Sequence, residues 1–219
     1  IDMAHDTGHR LVFVDDDPQE AETFLRLYGS GGTTITTVVA STPEDGLAQV
    51  VAALGDTVPD LFVLDMYFPV RRDAPGGIDE LPAHEAEALR ERLRALREDL
   101  DALAGRLETD PGDGKGLLRA AQAVAHGARA QVDAWCRVLD QSPAGGIHLL
   151  QLLSEKWPAV PKVFYSRKAT LDDAKQALAA GALDVVLKPE PSEEARKREA
   201  IAGAFSEYCQ ALPPDYLRR

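Results

Sequence analysis

At both ends of this chain, short unbroken apolar runs alternate with longer segments whose apolar residues recur every three or four positions. RLVFVDDD (residues 10–17) is β-branched and aromatic and ends in acid, which predicts a strand. PQEAETFLRLYG (18–29) follows, with Pro18 at a helix start and Gly29 at its stop. TTITTVVAS (33–41) predicts a second strand, and TPEDGLAQVVAALG (42–55) a helix opened by a Thr cap and a proline. PDLFVLDMYFP (59–69) carries the apolar run Leu61-Phe62-Val63-Leu64, which delivers a single acid, Asp65, and predicts strand three. The alternation resumes with AGGIHLLQLLSEKW (144–157, helix), PKVFYS (161–166, strand) and TLDDAKQALAAG (170–181, helix). LDVVLK (183–188, strand) and SEEARKREAIAGAFSEYCQAL (192–212, helix) complete it. Five strands alternating with five helices imply an α/β fold, a doubly wound five-stranded parallel sheet covered on both faces.

A second periodicity interrupts the first. Residues 70–142 place 73 residues between strand three and its helix. LPAHEAEALRERLRALREDLDALAGRLE (81–108) sets Leu89, Leu93, Leu96, Leu100, Leu103 and Leu107 at alternating steps of four and three. KGLLRAAQAVAHGARAQVDAWCRVLDQ (115–141) repeats that spacing with Leu118, Ala121, Ala125, Ala128, Val132, Trp135 and Leu139. Each helix has an apolar seam and charge elsewhere, so neither buries itself alone. The link TDPGDGKG (109–116) is turn chemistry. An inserted antiparallel helical hairpin of coiled-coil type is expected, its first helix ~40 Å long at 1.5 Å per residue. The domain reading is therefore a discontinuous unit, 10–69 with 143–212, and an insertion over 70–142. Trp135 reads as seam packing, and His84, followed by Glu85, as a solvated helix histidine.

Composition narrows the function classes. Of 219 residues, 45% are hydrophobic and 27% charged, the balance of a soluble globular protein. A net charge of −12 argues against direct nucleic-acid binding, which needs clustered Lys and Arg. No apolar run reaches the length of a membrane span, and the amino terminus IDMAHDTGHR lacks a signal-peptide core. Cys136 and Cys209 lie far apart, and the five histidines form no zinc pattern. A reducing, cytoplasmic setting is expected.

The polar residues gather where parallel sheets bind ligands, beyond the carboxyl ends of the strands. Asp15 and Asp16, Asp65, Ser166 and Lys188 each end an expected strand. Asp15, Asp16 and Asp65 converging at one edge would repel one another, and a divalent cation resolves that conflict. Mg2+ prefers carboxylate oxygens and keeps waters, which leaves room for a phosphate ligand. Lys188 offers a compact positive charge and Ser166 a hydroxyl donor, both suited to phosphoryl oxygens.

FVDDDP, LFVLDMYFP, KVFYS and AGALDVVLKP, in that order, resemble the receiver domain (CheY-like) of bacterial two-component response regulators. The resemblance does not extend to the insertion. It implies a flavodoxin-like sheet of order 2-1-3-4-5, with Asp65 as phosphoacceptor. Asp15, Asp16, Asp65 and the backbone carbonyl of Tyr67 would hold Mg2+, and Asp17 is a third, less essential acid. Ser166 and Lys188 would contact the phosphoryl group, and the Lys188–Pro189 bond would be cis, as an X-Pro bond tolerates. The implied partner is a histidine kinase or histidine phosphotransfer protein, and the implied activity is limited to self-phosphorylation and autodephosphorylation. Two positions depart from the family pattern. Val185 stands where an aromatic usually reports phosphorylation, and Arg167 stands where a small residue usually follows the Ser/Thr.

These departures turn attention to the insertion as the surface for a downstream protein partner. The rival reading is a phosphorylation-independent scaffold or dimerisation module, a possible homodimer built through the hairpin. A phosphohydrolase with an aspartate nucleophile fits less well, because that chemistry wants a second acid where Tyr67 stands.

Overall fold

The structure of the chain, a computed structural model, describes residues 8–29, 32–69, 81–110 and 112–211. Expectations for the amino terminus, for residues 70–80 of the insertion, for residue 111 of the link and for Leu212 lie outside the described residues. In chain order the elements are β1 (Arg10–Asp15), α1 (Pro18–Tyr28), β2 (Thr34–Val39), α2 (Pro43–Leu54), β3 (Leu61–Leu64) and β4 (Phe68–Pro69). Then come α3 (Ala83–Thr109), α4 (Gly114–Val138), β5 (Gln141–Ser142), α5 (Pro143–Lys156), β6 (Lys162–Ser166), α6 (Leu171–Ala179), β7 (Asp184–Leu187) and α7 (Glu194–Cys209). By contact density the chain divides into two compact units, Ile1–Arg72 with Ser142–Arg219, and Asp73–Gln141. No helix among the described residues is long and apolar enough to cross a membrane.

In the first unit, five parallel strands stand in the order β2-β1-β3-β6-β7. Counted within the sheet alone this is 2-1-3-4-5, the doubly wound, flavodoxin-like order expected. The short β4–β5 pair was not expected, since two residues carry no readable period. The alternation of side chains along each strand splits the core in two. Leu11, Phe13, Leu61, Val63, Val163 and Tyr165 face α1 and α7, where they meet Phe24, Tyr28, Ile201 and Phe205. Phe13 stacks on Phe24 with ring centroids 4.1 Å apart, and Tyr165 meets both edge-on. The intervening residues, among them Phe62 and Leu64, face the other way, toward α2 and α5, and Phe62 meets the Trp157 ring at the end of α5.

The helices start where chemistry starts them. Asp17, Thr42, Ser142 and Thr170 each accept a backbone N–H at a helix amino terminus, and Pro18, Pro43 and Pro143 fill first positions. Asp17 is therefore a helix cap, its Oδ1 accepting the Gln19 amide at 2.8 Å.

In the second unit α3 and α4 run antiparallel: Arg106 pairs with Asp113, Gly127 adjoins Leu96, and Gln131 Nε2 donates to the Leu89 carbonyl at 3.2 Å. The seam matches the expected one in part. On α3, Leu89 is buried and Leu96 and Leu103 half-buried, whereas Leu93, Leu100 and Leu107 are exposed. On α4 the expected Ala128, Val132, Trp135 and Leu139 are covered, together with Gln131 and Ala134. Toward the amino end the covered positions are instead Leu117, Ala120 and Val124, one residue before the expected Leu118, Ala121 and Ala125, and Leu118 is 60% exposed. Inside the seam the Gln131 amide finds a backbone acceptor, and Gly127 adjoins Leu96. Leu81, Ala86, Leu89, Ala134 and Leu139 make a small core, with Trp135 and Val138 packed against it.

Candidate functional site

The site lies at the carboxyl edge of the sheet, and strand register puts it there. Val14 pairs with Leu64 and Ser166 with Leu187, so Asp15, Asp65, Ser166 and Lys188 emerge at one edge. The Asp65 amide donates to the Val14 carbonyl at 2.8 Å and the Lys188 amide to the Ser166 carbonyl at 3.2 Å, extending the ladder one residue past β3 and β7.

Lys188 is the centre of the arrangement. Its ammonium lies 2.7 Å from Asp15 Oδ2, 3.1 Å from Asp65 Oδ1 and 3.4 Å from Glu20 Oε2. Beneath it are the rings of Phe13 and Tyr165, with centroids 5.8 and 5.7 Å away. The remaining carboxylate oxygens accept backbone amides: Asp15 Oδ1 from Asp17 at 2.9 Å and Asp65 Oδ2 from Tyr67 at 2.8 Å. Asp15, Asp65, Ser166 and Lys188 are all buried. Burial of isolated ions costs several kcal/mol each, so the cluster stands only because its members satisfy one another. Burial raises the Asp15 pKa, the charge of Asp65 raises it further, and Lys188 works the other way. For Lys188, burial opposes the ammonium, but Asp65, Asp15 and Glu20 outweigh it and hold the lysine protonated.

The surrounding loops are tied down. After Asp65, the Tyr67 hydroxyl donates to Asp173 Oδ2 at 2.8 Å, and Asp173 closes a capping box with Thr170 at the start of α6. Gly146 of α5 donates its amide to the Met66 carbonyl at 3.2 Å, and a Cβ at Gly146 would lie 2.3 Å from that oxygen. Only glycine lets α5 come this close to the Asp65 loop.

Of the expected site residues, the structure gathers Asp15, Asp65 and Lys188 into one ion cluster, with Ser166 buried at the same edge. Asp16 is half-buried just beyond β1. Tyr67 meets Asp65 through its amide. No group of three His, Cys, Asp or Glu side chains among the described residues is arranged to hold a metal. The repulsion expected of Asp15 and Asp65 is met here by the Lys188 ammonium. No peptide bond among the described residues is cis, so Lys188–Pro189 is trans where the resemblance implies cis, trans being the ordinary preference even before proline. Sequence reasoning missed Glu20. An acid in the first turn of a helix is already explained by the helix dipole, which hides any second purpose. Glu20 joins Lys188 to Arg167, whose NH2 donates to Glu20 Oε1 at 3.0 Å and whose NH1 donates to the Pro189 carbonyl at 2.8 Å.

The topology defines the class of fold: a flavodoxin-like, doubly wound parallel sheet with helices on both faces. No protein-family model matches the chain, and no curated protein matches it. Solved structures do. One is the receiver domain of a Francisella response regulator, at 14% identity over 91% of this chain and 99% of that one, with TM-score 0.43. A second is the beryllofluoride-activated DrrB receiver domain, at 12% identity over 94% and 100% respectively, with TM-score 0.48. A third is a CheY-like receiver domain protein from Methanospirillum hungatei, at 15% identity over 92% and 97%, with TM-score 0.46.

Proposed function

We propose that this chain is a response-regulator receiver. Asp65 accepts a phosphoryl group from the phosphohistidine of a histidine kinase or histidine phosphotransfer protein, and the chain signals by protein–protein contact through the insertion, residues 70–142. The observation that carries this reading is the buried Lys188 ammonium lodged between the carboxylates of Asp15 and Asp65 at the carboxyl edge of a parallel sheet.

The chemistry follows from those groups. An Asp65 oxygen attacks phosphorus, the phosphorus–nitrogen bond breaks, and a protonated phosphohistidine leaves as neutral imidazole. Lys188 counters the charge that gathers on the phosphoryl oxygens, and Ser166 donates a hydrogen bond to one of them. The chemistry of the donor set suits Mg2+, because the carboxylates of Asp15, Asp65 and Glu20 outnumber the cations Lys188 and Arg167. Asp15, Asp16, Asp65 and the Tyr67 carbonyl would hold it, and it would supply charge neutralisation at the phosphoryl oxygens. The only reactions catalysed are the chain's own phosphorylation and slow dephosphorylation. A cytoplasmic setting fits the free thiols of Cys136 and Cys209.

Acetyl phosphate with Mg2+ is expected to retard the chain on Phos-tag gels and to give an acyl-phosphate resonance by phosphorus NMR. Asp65→Asn, or chelation of the metal, is expected to abolish both signals. A wild type indistinguishable from Asp65→Asn ends the reading.

A second reading, a phosphorylation-independent dimerisation or scaffold module, draws on the exposed leucines of α3 and on Val185. It predicts partner capture that is unchanged by Asp65→Asn.

A further inference from the structure

We infer that Glu20 and Arg167 form an exchangeable counter-ion pair: Glu20 holds the anion position beside Lys188 until phosphorylation displaces it and hands Arg167 to the phosphoryl group. This deepens, and rests on, the phosphoacceptor reading of Asp65. The two oxygens of Glu20 face different cations. Oε1 accepts from Arg167 NH2 at 3.0 Å, and Oε2 lies 3.4 Å from Lys188 Nζ, which is itself 3.1 Å from Asp65 Oδ1. A carboxylate set between two cations, one ligand removed from the phosphoacceptor, occupies ground that a phosphoryl oxygen would also favour.

The three contacts of Lys188 are not equal. Asp15 at 2.7 Å and Asp65 at 3.1 Å are tight, whereas the 3.4 Å contact to Glu20 lies beyond good hydrogen-bond length. The Glu20 side chain is also 23% exposed against 2% for Asp15, so solvent can receive its carboxylate. Arg167 does not depend on Glu20 for its place, because NH1 is anchored to the Pro189 carbonyl at 2.8 Å. Its guanidinium keeps further donors in a fork that matches phosphoryl oxygens.

Phosphorylation changes this balance. With acetyl phosphate as donor, the bond from an Asp65 oxygen to phosphorus forms as the bond from phosphorus to the acetate oxygen breaks, and acetate leaves with the electron pair. The carboxylate's single negative charge gives way to about two on the phosphoryl group. The added charge repels Glu20 and competes with it for both cations.

The sign of two substitutions separates exchange from a merely structural ion pair. Breaking a structural pair from either side has the same effect. Under exchange, Glu20→Gln removes the competitor and Arg167→Gln removes a phosphoryl ligand, so the effects oppose. In the full chain with Mg2+ and subsaturating acetyl phosphate, Glu20→Gln is expected to phosphorylate roughly fivefold faster than wild type and Arg167→Gln roughly fivefold slower, the scale of one partly buried ion pair. Circular dichroism checks that both variants are folded. Changes of the same sign, or neither rate moving beyond about twofold, overturn the exchange. If wild type is as inert as Asp65→Asn, the phosphoacceptor reading fails instead. Titration with inorganic phosphate, followed by thermal denaturation, then still decides: tighter binding in Glu20→Gln with weaker binding in Arg167→Gln supports exchange, and any other pattern overturns it.

Discussion

Leu61 and Leu64 of β3 and Leu149, Leu150 and Leu153 of α5 are 0% exposed, whereas Leu93, Leu100 and Leu107 of α3 and Leu118 of α4 are exposed by 41% to 60%. The same residue type is spent differently in the two units. A parallel sheet with helices on both faces leaves its central strands no solvent side, so every apolar position there meets a partner. The hairpin helices pack on each other along one stripe apiece, and among the described residues the leucines of a second stripe are exposed. The site residues sit in the unit where packing is complete, which is what holds a lysine and two aspartates within ion-pair distance at low exposure.

The sharpest way to break this contrast is to truncate one ring of the stacked core. Phe24→Ala removes the partner of Phe13 and the neighbour of Tyr28, Tyr165 and Phe205. A loss of about 4 kcal/mol is expected in chemical denaturation. A loss below about 1 kcal/mol would mean the core is no better packed than the hairpin.

Glycine-to-alanine changes give the contrast a sign. At Gly146 a methyl would lie 2.3 Å from the Met66 carbonyl oxygen, and a loss of about 3 kcal/mol is expected as α5 is pushed from the Asp65 loop. At Gly105, inside α3, a Cβ meets nothing within 4 Å, and a gain approaching 1 kcal/mol is expected from helix propensity alone. Paired urea titrations check both, and effects of equal sign would remove the distinction between the units.

Lys162 tests burial in the α/β unit away from the site. Its ammonium donates to the carbonyls of Trp157 and Val160, both at 2.7 Å, and burial lowers its pKa from the usual 10.5 to about 8. Between those values the unfolded chain holds a proton that the folded chain has lost, so stability rises with pH across that window and is flat below it. Relative to Lys162→Met, wild type is expected to gain about 2 kcal/mol from pH 8 to 10.5, after allowance for solvent screening. A flat difference curve would show that the two carbonyls hold the ammonium charged throughout.

How far the sequence was readable follows the same division. In the α/β unit, apolar runs of four to six residues bounded by turn chemistry leave one way to build the sheet, and the acids and the lysine that end those runs fall at its carboxyl edge. Glu20 was hidden by its ordinary place in a first helical turn. In α4, Leu117 with Leu118, Ala120 with Ala121 and Val124 with Ala125 are adjacent apolar pairs, so two stripes obey the same three-and-four spacing. Periodicity cannot choose between them. The buried Gln131, whose amide reaches the Leu89 carbonyl, marks the covered side, and it does not score as apolar.

The smallest effect discriminates most finely within one helix. Leu100 and Leu103 of α3 are three residues apart in the same apolar pattern, but Leu100 is 48% exposed and Leu103 half-buried beside α4. Truncation should therefore separate them: about 1.5 kcal/mol for Leu103→Ala and about 0.5 kcal/mol for Leu100→Ala, read as faster amide hydrogen exchange in residues 83–138. Exchange elsewhere should be unmoved by either. Equal losses would mean that both stripes of α3 are covered in solution, and so that something seats on the bare one. A loss that grew with protein concentration for Leu100→Ala alone would identify that cover as a second copy of this chain.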